Sequence, residues 1–417
     1  MSKSIRIRAG LVLVLLLAMP VTAVGQSEVE LGIRSSFANR IPLAIAPFAA
    51  LDGTSREDVL ALERVVTSDL EFSGVFKIHR GRVPAAHNGD TEGLVEVRGA
   101  MFLYRDKAHF EGRVVDVETG QQIGAKRYLF KREQVRQIAH HFADEVVRML
   151  TGEKGIATTH VLYRRKSGDT WEVIMSDYDG YNSKVLLRQS VPILYPRWLD
   201  KDAALAYTSF RYGKPDLFVR YLKEAASRRL ATFDGINFSV DWSEKRGEML
   251  VTLSKDGNAE IYIMKKGGKV RKRLTHSRAI DISPGWSPSG RELVFSSDRS
   301  GNPHIFVMEA DGSNVRRLTF AGKYNESPTW SPKGDYIAFV SRIDGFFQLC
   351  TIRPDGTGFQ VLTSEPLDHE DPRWAPNGRH IIYSEDRDGE SVISIIDIGT
   401  GGRRVLAQGS NPDWSAR

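Results

Sequence analysis

The sequence predicts an α+β N-terminal domain followed by an all-β six-bladed β-propeller whose C-terminal strand closes the first blade. Three observations carry this. Trp198, Trp242, Trp286, Trp330 and Trp374 each follow the last by 44 residues, and Trp414 comes after 40 more. Leu186, Leu230, Leu274, Leu318, Leu362 and Leu406 keep the 44-residue step throughout. Turn residues recur at fixed places between them. Two independent markers sharing one period in the forties, cut by turns into four short strands, describe a propeller blade, and six markers give six blades.

Residues 1–25 read as a secretory signal peptide. Lys3, Arg6 and Arg8 precede the apolar run Leu11 to Met19, and small residues follow, with cleavage expected after Ala23 or Gly25. The run is too short to span a bilayer, and the absence of a following cysteine argues against a lipid anchor. Without these residues the formal charge of +6 falls to +3, from 55 basic and 52 acidic residues. That near-balance argues against a nucleic-acid partner, which needs basic residues gathered on one face.

Residues 26–153 lack the repeat and read as mixed α/β. Val29 to Ile33 and Ile41 to Phe48 alternate like strands. Thr54 with Glu57 suggests a capping box, ahead of a helix carrying Val59, Leu62, Val65, Val66 and Leu70 at helical spacing and ending at Gly74. Residues 80–92 read as loop, and three strands follow within 94–130. A second helix from about Arg132 to Leu150 ends at Gly152. The adjacent His140 and His141 point about 100° apart on a helix and cannot chelate one ion together.

Residues 154–417 form the propeller. Pro288-Ser289-Gly290, Pro332-Lys333-Gly334 and Pro376-Asn377-Gly378 turn the innermost strand into the second, while Asp179-Gly180, Asp311-Gly312 and Asp355-Gly356 turn the third into the fourth. The units at Trp198 and Trp242 lack the Pro-x-Gly turn, and Val240 replaces a proline. The repeating tryptophan fills the wedge between neighbouring sheets. The first repeat lacks an inner strand and the chain ends on one, Pro412-Asp413-Trp414-Ser415, so the two ends clasp. Cys350, in the apolar FFQLCTI, reads as a buried, inert thiol.

Catalytic signatures are missing: the sequence contains no G-x-S-x-G, no phosphate-cradling loop and no Cys-x-x-Cys. What varies between repeats is the connection into each inner strand: ATFDGINFSVDW, THSRAIDISPGW, TFAGKYNESPTW and TSEPLDHEDPRW. These connections gather at one mouth of the channel and read as a partner-binding rim. His369, Glu370 and Asp371 are metal ligands by type, and they give the competing reading of a secreted enzyme acting on carbohydrate or peptide in the channel.

The motifs DLEFSGVF at 69–76, VRGAMF at 97–102, the helix QIAHHFADEVVRMLTGEKGI ending at Ile156 and SDYDGYN at 176–182, in that order before this ring, resemble the TolB family. That family is the periplasmic component of the Tol-Pal cell-envelope system, and the resemblance covers essentially the whole chain after residue 25. It implies a monomeric periplasmic binding protein without catalytic activity, cofactor or metal. It also implies that the peptidoglycan-associated lipoprotein Pal docks at the wide mouth, against Asn237, Phe238, Asp281, Asn325, Glu326, His369 and Glu370. The N-terminal segment Ser27, Glu28, Val29, Glu30, Leu31, Gly32 and Ile33 would engage a TolA-like inner-membrane protein, linking it to the outer membrane.

Overall fold

The computed structural model describes residues 40–80, 93–105 and 107–416. The signal-peptide reading, the strand expected at 29–33 and nearly all of the loop expected at 80–92 lie outside them. No described helix is long and apolar enough to cross a membrane.

The N-terminal sheet contains β1 (Ile41–Ile45), β2 (Ala49–Ala50), β3 (Phe76–Arg80), β4 (Val95–Tyr104), β5 (Lys107–Asp116) and β6 (Gln122–Phe130), in the order β3-β1-β4-β5-β6 with β2 beside β4. β1 runs parallel to both of its neighbours, because α1 (Arg56–Phe72) carries the chain back over the sheet between β2 and β3. α2 (Val135–Thr151) lies beside α1 and ends on Gly152, whose φ of 76° is the left-handed conformation glycine adopts without cost. Gly112 in β5 has a different reason: a Cβ there would stand 2.2 Å from the Phe142 ring. Its bare backbone lets Phe142 reach the sheet and meet Phe110 edge-on at 5.1 Å.

Two local expectations change. The Thr54 capping box does not form, because α1 starts one residue later, with Ser55 at the N-cap. Glu57 is then out of phase for a box, and Asp58 pairs instead with Arg132 at 2.6 Å. The strand expected over 41–48 stops at Ile45 and resumes only as Ala49–Ala50; Pro47 has no N–H to continue the ladder.

Six four-stranded sheets follow, and the fold is the predicted six-bladed propeller. The innermost strands are Ser410–Trp414 in blade I, Ile193–Leu199 in blade II, Asn237–Ser243 in blade III, Asp281–Trp286 in blade IV, Asn325–Trp330 in blade V and His369–Trp374 in blade VI. Blade I combines the last strand of the chain with His160–Ser167, pairing Trp414 with Val161 and Asp413 with Leu162. Five of the six repeating tryptophans are buried. Trp242, in the blade with valine at 240, is half-buried. Replacing such a buried aromatic with alanine typically costs about 3–5 kcal/mol.

The turn after each tryptophan and the turn between third and fourth strands lie on one face of the ring, and the N-terminal domain sits against that face. His380, just past the turn of blade VI, contacts the α1 carbonyl of Phe72 with Nε2 at 2.9 Å and stacks on its ring. Lys333 Nζ donates to Glu153 Oε1 at 2.7 Å. Tyr178 Oη donates to Asp69 Oδ1 at 2.6 Å. One apolar core runs from Leu43, Leu70 and Phe142 into Tyr178, Ile382, Ile393 and Trp414 of the ring. The opposite face is left to the variable connections.

Candidate functional site

Each inner strand starts at that free face and runs toward its tryptophan. Its ladder to the second strand slips four residues before the tryptophan: between Leu194 and Arg197, Ile282 and Gly285, Glu326 and Thr329, Glu370 and Arg373, and Ser410 and Asp413. At the slip stand Tyr195, Ser283, Ser327, Asp371 and Asn411, all with φ between 49° and 53°. This repeated β-bulge breaks the simple alternation of side chains and turns the next residues toward the channel. Nothing in the 44-residue period announces it. The one available signal is a turn-forming Ser, Asp or Asn directly before the proline in four of these five strands.

The first residue of the inner strands of blades II to VI faces away from solvent. Asn237, Asp281, Asn325 and His369 are all 0% exposed. Asn237 Nδ2 donates to the carbonyls of Phe233 at 2.7 Å and Pro215 at 3.1 Å, tying the connecting loop to the previous blade. Asn325 Nδ2 reaches Ala321 O at 3.1 Å and His304 Nδ1 at 3.0 Å. Asp281 accepts from Arg299 Nη2 at 2.8 Å, and burial raises its pKa. His369 donates from Nδ1 to Phe347 O at 3.2 Å, and burial holds its imidazole below the usual range. These four side chains brace the rim from within and do not face the mouth.

The second residue of the inner strands of blades II to VI does face it. Leu194, Phe238 and Ile282 from blades II to IV are half-buried, as is Glu326, while Glu370 is exposed. The mouth is therefore two-sided, with an apolar arc over three consecutive blades and an acidic arc over the next two. Tyr195 and Phe238 hold ring centroids 5.9 Å apart on the apolar side. On the acidic side burial raises the pKa of Glu326, and Asp371 adds to the effect. The Glu370 carboxyl, although the residue as a whole is open to solvent, is desolvated by its neighbours and, with the charges of Asp371 and Glu326 beside it, is pushed up to about 7. Leu194 and Ile282 escaped the sequence reading, although they share the phase of Phe238, four residues before the tryptophan. Phe320 and Ile280, on connecting loops, add exposed apolar surface at 76% and 51%.

The His369, Glu370 and Asp371 cluster does not converge on one point, because His369 is turned into its blade. Among the described residues, a histidine and two carboxylates come within 4.8 Å of one another at Asp69, His140 and Asp179. Those groups are engaged otherwise. Asp69 takes His140 Nδ1–H at 2.7 Å and the Tyr178 hydroxyl, and Asp179 takes Arg136. His141, its neighbour on the helix, is exposed.

Residues 147–417 match the family model for the TolB beta propeller domain. The Tol-Pal system protein TolB of Nitrosomonas europaea is 31% identical over 242 residues, 53% of this chain and 54% of that protein. Its counterpart in Bordetella pertussis is 33% identical over 243 residues, 55% and 54% of the two chains. The chain thus spans about half the length of the curated relatives it matches. The crystal structure of TolB from Acinetobacter baumannii superposes with a TM-score of 0.79 at 27% identity, covering 90% of this chain and 97% of that one.

Proposed function

This chain belongs to the TolB β-propeller family, and from that premise we propose that it is a periplasmic, non-catalytic scaffold of the Tol-Pal system that links the inner-membrane Tol complex to the outer-membrane lipoprotein Pal. The observation that carries this reading is the two-sided mouth: an apolar arc of Leu194, Phe238 and Ile282 beside an acidic arc of Glu326 and Glu370, on the face the N-terminal domain leaves open. Apolar area supplies the contact energy of a protein interface, and the charges select its partner and orientation.

Within this proposal the docking residues are Phe238, Glu326 and Glu370, joined by Leu194 and Ile282, and Asn237, Asp281, Asn325 and His369 support them from behind. The segment Ser27 to Ile33, outside the described residues, is proposed to engage a TolA-like protein. The test is titration calorimetry of the purified protein with the soluble domain of Pal from the same organism. Saturable one-to-one binding that Glu326→Lys weakens at least about tenfold supports the reading. Binding that survives both Glu326→Lys and Phe238→Ala would move the docking surface elsewhere.

A further inference from the structure

Below the mouth, at the level of the bulges, the channel holds a cavity of about 30 Å³ lined by Tyr195, Arg197, Ser283, Ser327, Asp371 and Arg373, with prolines between them. Two guanidinium groups share this space. Arg197 is 4% exposed. Its Nη1 donates to the carbonyls of Pro196 and Pro412, each at 3.0 Å, but its Nε has no hydrogen-bond partner among the described residues. The same holds for Arg373 Nε, whose nearest carboxylate oxygen, Asp413 Oδ1, is 3.9 Å away. A buried donor left without a partner is costly, and the cost is greater when it carries charge. Burial, followed by the neighbouring Arg373 charge, depresses the Arg197 guanidinium to about 10.

The nearby carboxylates do not quench these donors. Asp413 Oδ2 is taken by the backbone N–H of Trp198 at 2.7 Å, Asp241 Oδ2 by that of Trp286 at 2.7 Å, and Asp371 by the Asn411 amide. The serine hydroxyls of 283 and 327 add donors to the lining, whereas Asp371 is its one carboxylate. We infer that this cavity is a binding site for a small monovalent inorganic anion, chloride or bromide, held between the guanidinium groups of Arg197 and Arg373. The cavity volume sets the class. It admits a single halide but not gluconate, and the Asp371 charge disfavours a divalent anion such as sulfate.

The test uses the full protein and halide salts. Crystals soaked in sodium bromide should show an anomalous peak between Arg197 and Arg373. In solution, exchanging gluconate for chloride at fixed ionic strength should raise the melting midpoint by about 2 °C, and Arg373→Met should remove the difference. Arg197→Met is a poorer probe, because that side chain also braces the Pro412 carbonyl. A channel without a bromide peak, or a chloride effect that persists in Arg373→Met, overturns the site. Neither measurement depends on which protein docks above it.

Discussion

Asp413 and Trp198, 215 residues apart in the chain, are joined across the ring seam by a 2.7 Å hydrogen bond from the tryptophan backbone N–H to the carboxylate Oδ2. Asp241 of blade III does the same for Trp286 of blade IV, so the link is a repeated device used at the closure. Asp413→Ala removes it, leaves a buried N–H unpaired and takes a carboxylate from beside Arg373. It should lower unfolding stability by about 2–3 kcal/mol, read as a shift in the urea midpoint. Asp413→Ala with unchanged stability would mean that strand pairing alone closes the ring.

A pH effect follows from His380 at the seam between domains. Burial, with Arg379 adding to it, pulls its imidazole down to about 4 despite the neighbouring Asp397. Its Nε2–H serves the Phe72 carbonyl, which favours the proton, but burial outweighs this and the folded protein keeps the ring neutral. As pH falls from about 6.5 to 4, the unfolded chain takes up a proton that the folded one refuses, and stability drops by up to about 3 kcal/mol. Glu370 slopes the other way. Its pKa near 7 in the fold lets the native carboxyl keep a proton above 4.5 that the unfolded chain releases, so stability falls as pH rises from about 4.5 to 7. In denaturation curves from pH 4 to 8, His380→Gln should remove the rise in stability between about 4 and 6.5, and Glu370→Gln the opposing fall between about 4.5 and 7.

At the rim, position decides the effect of a mutation. Phe238→Ala and Glu326→Lys should each weaken Pal binding at least about tenfold, roughly 1.4 kcal/mol, with little change in melting temperature. His369→Ala should do the reverse. Its buried ring serves the Phe347 carbonyl, so the loss falls on stability, by about 2 kcal/mol. Calorimetry and thermal melts on the same three proteins separate the two patterns.

The domain seam can be weakened by a single atom. Tyr178→Phe deletes the hydroxyl that donates to buried Asp69 and leaves that carboxylate with His140 alone. A loss of about 1–3 kcal/mol in unfolding stability is expected, with hydrogen exchange speeding up first in α1 and in the blade I turn at 178–181.

Cys350 is fully buried, and burial raises its thiol pKa well above the ordinary value. It should resist a thiol reagent at pH 8 for as long as the protein stays folded and react stoichiometrically in urea. Rapid labelling without denaturant would contradict the packing of blade V.

The ring itself was legible because its cause is local and repeated. Every blade needs one large aromatic at its inner end and tight turns at fixed intervals, and a repeat writes such needs into the chain at a constant period. The N-terminal helices were legible from their apolar spacing, but the cap of α1 was not, since Thr54 and Ser55 are equally good caps and only packing chose between them. The rim was half legible. The sequence singled out the connections at the mouth and, in Phe238, Glu326 and Glu370, residues that face it. It also picked their neighbours, because the bulge that decides which side chain turns outward leaves no mark in the period.

The sequence by itself thus determined the number of blades, the closing strand and the family, all consequences of patterns that neighbouring residues impose on one another. Only the tertiary structure decided that Asn237, Asp281, Asn325 and His369 are buttresses, that Leu194 and Ile282 complete an apolar arc, and that Arg197 meets Arg373 across the channel. Those relations join residues of different blades, and closing the ring brings them together in space without requiring any regularity between them in sequence.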